Sequence, residues 1–181
     1  MGFWDSLLGR SKTAKPDLDA LFALPSAAVT LEAATGFRPT GSGSVCFRAA
    51  EGGAFATMQH DVQALVGSAE VSTDSYGYTW LVERDPDVSN LVTGLHAVNS
   101  TLEANGFGPS LLCSLVGFGD GTRRLAVVYL YKQGTFYPFA PTGGTQRDSA
   151  LELQVRGALQ GELKIEPDLA RWFPLWSAPG L

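Results

Sequence analysis

Histidine and cysteine are scarce in this 181-residue chain, with two of each, and neither type clusters. Cys46 and Cys113 each sit inside an apolar run with no Cys-x-x-Cys spacing, so they read as buried free thiols and not as zinc ligands or a redox pair. With His60 and His96 as the only imidazoles, general bases are few and no metal site is expected. No Gly-x-Ser-x-Gly elbow, His-Glu-x-x-His helix or Walker sequence occurs. Gly41-Ser42-Gly43-Ser44 lacks the lysine and the spacing of a phosphate loop and reads as a turn. Positive charge is also short: 13 Lys and Arg against 18 Asp and Glu leave a formal charge of -5, with no basic cluster. That excludes a surface that draws its affinity from nucleic-acid phosphates. There is no signal-peptide pattern and no apolar run near the roughly 18 residues of a membrane span, so a cytoplasmic location is expected. These absences point to a chain with no catalytic residues, metal or cofactor. An enzyme whose site is assembled from residues distant in sequence stays open as the alternative.

Apolar residues, at 45% of the chain, are enough for one sizeable core. The expected organisation is an N-terminal amphipathic segment over residues 1–14 and a single α+β domain over 15–181. Its centre is Leu111 to Pro141. Two apolar runs, Leu111 to Phe118 and Leu125 to Tyr131, flank Gly119-Asp120-Gly121-Thr122, whose Asp-Gly step suits a tight hairpin. In the second run Leu125, Val127, Tyr129 and Tyr131 alternate with Ala126, Val128 and Leu130. Both sets are apolar, so both faces should be covered. Pro138, within Phe136-Tyr137-Pro138-Phe139, cannot donate to a ladder and predicts an edge strand.

Around this hairpin the spacing predicts helices. Asp17 to Leu24 and Ser26 to Ala34 are separated by Pro25 and ended by Gly36. Phe55, Met58, Val62, Leu65 and Val66 define one amphipathic face, with His60 off it. Val88, Leu91, Val92, Leu95, Val98 and Leu102 define another, entered through Asp85-Pro86, closed by Asn105-Gly106 and flanked by His96. Asp148 caps a helix to Gln160 in which Glu152 and Arg156 are spaced to pair. Val45-Cys46-Phe47 and Tyr76 to Glu83 read as strands, and Thr142 to Thr145 as a loop. The whole predicts an α+β fold: a mostly antiparallel sheet of about five strands covered by helices, loosely similar in element order to type III secretion chaperones and YbjN-like proteins.

The two ends are aromatic. Wound as a helix, Met1 to Lys12 places Phe3, Trp4, Leu7 and Leu8 on one side, within an arc of about 140°. That face serves the domain's own core, a partner groove or a membrane surface. Near the other end Trp172 and Trp176 are too bulky to leave in water, so they pack on the sheet or meet a partner. An internal echo links Thr30-Leu31-Glu32-Ala33, followed by Gly36-Phe37-Arg38-Pro39, with Thr101-Leu102-Glu103-Ala104, followed by Gly106-Phe107-Gly108-Pro109. Each leads into a cysteine-bearing strand.

Long words of the sequence carry a resemblance: MGFWDSLLGRSK, LFALPSAAVTLEAATGF, LHAVNSTLEANGFGPSLLCSLVGF, YLYKQGTFYPFAP and RWFPLWSAPGL. The chain resembles, end to end, the actinobacterial PspA-associated family PspAB. The resemblance implies an accessory or adaptor protein of the phage-shock envelope-stress response. Its implied partners are a PspA-type coiled-coil protein and an HtpX-like membrane protease; peripheral membrane contact through the N-terminal segment is an expectation from the residues of that segment. It carries no catalytic residues. Phe3, Trp4, Leu7, Leu8, Trp172 and Trp176 are the expected partner-binding residues.

Overall fold

The structure of the protein, a computed structural model, describes residues 14–49, 52–65, 67 and 69–181. The expected N-terminal helix, with Phe3, Trp4, Leu7 and Leu8, lies outside the described residues. A 3-10 turn at Leu18–Ala23 runs into α1 (Leu24–Thr35), where Pro25 occupies the first turn and its missing N–H is not needed. Gly36 ends α1 in the left-handed conformation, φ 80°. There follow β1 (Arg38–Arg48), α2 (Gly53–Leu65), β2 (Glu70–Thr73), β3 (Tyr78–Arg84) and α3 (Val88–Ala104). The central hairpin is β4 (Leu111–Gly119) and β5 (Arg124–Leu130), with β6 (Thr135–Phe139) beside it. A two-stranded ribbon, β7 (Pro141–Gly143) and β8 (Gln146–Arg147), leads to α4 (Ser149–Leu159).

The main sheet is antiparallel throughout, in the order β2-β3-β1-β4-β5-β6. Six strands make up the sheet for which about five are expected. The addition is β2, whose Glu-Val-Ser-Thr offers only one apolar side chain. Alternation in β5 divides the sheet as the sequence indicates. Leu125, Val127, Tyr129 and Tyr131 face the helices, while Ala126, Val128 and Leu130 face the opposite layer. On the helix side, α3 presents Leu91, Val92, Leu95, Val98 and Leu102, with α1 packed beside it and α4 packed on α1 and β6. Leu18–Thr35 has the length and mean hydropathy, 1.2, of a membrane-crossing helix, but its Leu21, Leu24, Ala28 and Leu31 are spent on this core. Among the described residues no α-helix covers the opposite face. The C-terminal tail lies against it.

Pro138 takes the edge position. On the outer side of β6, Phe136 N–H donates to Lys164 C=O and Glu166 N–H to Phe136 C=O, so the tail pairs there for a few residues. Two residues on, the nitrogen of Pro138 points the same outward way, where no ladder bond is lost.

Several local expectations are corrected. Gly41-Ser42-Gly43-Ser44 is not a turn before a short strand but part of an eleven-residue β1, with a register shift between Pro39 and Gly43. Glycine is needed at 43, because a Cβ there would meet Leu115 O at 2.7 Å. The cap of α3 is Asp87, not Asp85: its Oδ1 accepts from Ser89 and Asn90 N–H. Glu152 pairs with Arg147 at 2.6 Å and not with Arg156, since Glu152 faces inward, 2% exposed, while Arg156 faces solvent. Thr142 to Thr145 carries the turn of the small ribbon. The echo acquires a spatial meaning: the two cysteine strands, β1 and β4, are neighbours, and Cys46 stands directly opposite Cys113.

Candidate functional site

Register across four strands builds a row on the face opposite the described helices. Trp80 of β3 opposes Cys46 of β1, Cys46 opposes Cys113 of β4, and Cys113 opposes Leu130 of β5. Three strand spacings of about 4.8 Å make this floor roughly 14 Å long, perpendicular to the strands. All four side chains are buried or nearly so.

The tail forms a roof because it is fixed at two places. At the first, Trp172 is buried, 6% exposed. Its ring stacks on Tyr137 at 6.2 Å and its Nε1 donates to Glu166 O at 2.9 Å. Arg147 Nη1 donates to Trp172 O, and Tyr137 Oη to Phe173 O. At the second, Ser44 Oγ donates to Pro179 O at 2.7 Å, and Gly180 lies against Gly43 and Ser44. The close approach requires Gly117 too, where a Cβ would meet Gly180 O at 2.8 Å. Between the two fixed points Leu175 C=O accepts from Ala178 N–H, Ser177 adopts φ 57°, and Trp176 packs edge-on to Phe139 at 5.2 Å.

Floor and roof enclose a groove of about 650 Å3. Its β3 end carries Asp74, whose Oδ1 accepts from Tyr76 and Tyr78 N–H and whose Oδ2 accepts from Trp80 Nε1, at 2.9, 3.0 and 2.9 Å. Burial acts to raise Asp74, but the bond from Trp80 and those from the backbone outweigh it and hold the carboxyl below its ordinary range. Lys132, Gln133 and Arg171 stand at the β5 end. On the floor, the hydrogen bond with Cys113, then burial, pushes the Cys46 thiol up. A thiol held protonated is neither a nucleophile nor a metal ligand at neutral pH.

A family model described as PspA associated protein B matches residues 1–180. The chain belongs to the PspA associated protein B family. The family's name indicates association with PspA, which is consistent with an accessory protein. The match spans both aromatic ends and the whole groove. No curated protein and no solved structure matches the chain.

Of the residues expected to meet a partner, Phe3, Trp4, Leu7 and Leu8 lie outside the described residues. Trp172 is core beneath the sheet. Trp176, half-buried, lines the groove. His96 receives an ordinary surface role, 3.0 Å from Asp19 and packed on Phe22. Sequence reasoning placed the aromatic tail but not the groove, because the row beneath it exists only through strand register. The facing cysteines, each in a strand after the same helix stop, were its one visible sign.

Proposed function

We propose that the chain is a non-catalytic accessory protein of the bacterial envelope-stress (phage-shock) response that binds a PspA-type coiled-coil protein. What carries this reading is the family match over residues 1–180, which includes the amphipathic segment Met1 to Lys12. Wound as a helix, that segment would carry four large apolar side chains on one side, which is costly in water and suited to a coiled-coil surface. An acidic chain is repelled by anionic lipid, so a protein partner is favoured over the bilayer alone. Under this reading the chain works in the cytoplasm, at the inner face of the membrane. An HtpX-like membrane protease is a further partner.

The second reading, an enzyme, has the 650 Å3 groove in its favour. The groups lining it speak for binding instead: one thiol is held protonated, and the carboxylate of Asp74 already accepts three hydrogen bonds.

Co-expression with the PspA-type protein of the same host tests the proposal. The full chain should retain that protein on affinity purification, and removal of Met1 to Lys12 should abolish retention while the melting transition is kept. No retention by the full chain would overturn the reading; full retention by the truncated chain, or its unfolding, would mean that Met1 to Lys12 is not the docking element.

A further inference from the structure

We propose that the groove beneath the sheet is a binding site for a single-chain fatty-acid anion, its alkyl chain along the Trp80-Cys46-Cys113-Leu130 row and its carboxylate at Lys132. This site is independent of the adaptor reading.

The floor selects for methylene groups. Each of its strands is paired on both sides, so the backbone along the row is committed to the sheet's own ladders. A peptide drawn under the roof would lose hydration of its own amides without replacement. An alkyl chain has nothing to lose there and leaves water in the process. The groove is straight, roughly 14 Å along its floor. Its volume, about 650 Å3, lies within the range of small-molecule sites. The tail is fixed to the sheet at Trp172 and Phe173, through Tyr137, and at Pro179, which keeps a bilayer from reaching the row and leaves room for one chain entered from an end.

Charge sets the direction. Asp74 stands at the β3 end with its oxygens already occupied, and would repel an anionic head group. At the β5 end Lys132 has no ion-pair partner among the described residues. Arg171 holds Gln133 Oε1 at 3.1 Å, and its own acidic neighbours, Glu166 and Asp168, are 3.7 and 3.8 Å away. A carboxylate at Lys132 gains that cation, with Arg171, already shared by Glu166 and Asp168, beside it, and the methyl end then lies toward Trp80.

The full-length protein is titrated with dodecanoate, dodecanol and dodecylammonium, each as monomers, and with 12-bromododecanoate and 2-bromododecanoate. Dodecanoate should raise the melting temperature in proportion to occupancy and bind more tightly than dodecylammonium. The 12-bromo acid should quench tryptophan fluorescence more than the 2-bromo acid, and Trp80→Phe should remove most of that difference. Lys132→Glu, at an exposed position where folding is not at stake, should weaken dodecanoate about tenfold and leave dodecanol unchanged. Equal affinity for the acid and the ammonium, or a Lys132→Glu protein that binds dodecanoate as before, overturns the proposal. So does binding to phosphatidylglycerol vesicles without binding of monomeric dodecanoate.

Discussion

The carboxyl group of Glu83 occupies the space that a side chain on Gly94 would fill: a Cβ built on Gly94 in α3 would overlap Glu83 Oε2. Glu83 Oε1 has no hydrogen-bond partner among the described residues, and burial, with Asp85 adding, pushes the carboxyl up to about 7. The helix therefore carries a glycine in its middle, at a cost of about 1 kcal/mol in helix propensity, to admit a carboxylic acid that stays protonated near neutrality.

That pairing makes stability depend on pH in a defined direction. Below about pH 4 the folded and unfolded chains both keep the proton on Glu83. As pH rises toward 7 only the unfolded chain releases it, so stability falls; above 7 the loss is complete and level. Glu83→Gln should remove this slope, gaining on the order of 2 kcal/mol at pH 8 relative to its effect at pH 4. Denaturant melts of both proteins across that range are the measurement. Gly94→Ala should destabilise the chain, and less so in a Glu83→Ala background.

A second expectation concerns the centre of the sheet. Val127 is 2% exposed in β5, between β4 and β6, and faces the helix core. Val127→Asp puts a carboxylate where neither water nor a partner is available and should prevent folding. A soluble variant with a cooperative melt would contradict the layering described above.

Arg147 holds the buried Glu152 in a two-nitrogen grip, donates to Trp172 O and lies 5.0 Å from the Phe139 ring centroid. Arg147→Met leaves Glu152 buried without its counter-charge and should cost about 3–5 kcal/mol. Replacing Glu152 by Leu in the same protein should return most of that loss, as read from the midpoint of chemical unfolding.

The thiols report on the roof. Cys46 and Cys113 are buried and free, so native labelling should be slow, and each Cys→Ala change should cost about 1–2 kcal/mol through lost packing. Gly117→Ala pushes Gly180 O away from the sheet and should speed labelling of both thiols before any change in far-ultraviolet circular dichroism. Unchanged labelling would mean that the tail is not what shields them.

Elements that carry their own pattern were legible in the sequence: the β4-β5 hairpin, through its Asp-Gly turn and two apolar sets, and α3, through its unbroken stripe. What escaped depends on other parts of the chain. Gly41 to Ser44 has the composition of a turn, yet Gly43 is selected by the close passage of Leu115 O from β4. Glu152 has Arg156 at helical spacing, yet burial gives it to Arg147. Asp74 gains its role only when Trp80 folds onto it, and the groove floor needs the register of three strand pairs at once.

The outer side of β6 bears on how these molecules behave in a crowd. At Phe136 the edge is already engaged by residues 164–166, and two residues on, Pro138 has no donor to offer an incoming strand. At the opposite margin β2 is only four residues long and carries Glu70, which meets Arg84 at 3.5 Å. Both margins are thus poor templates for sheet extension, and concentrated protein should resist fibre growth by that route. Pro138→Val restores a donor at β6, and should be the variant in which thioflavin-positive material first appears on prolonged agitation.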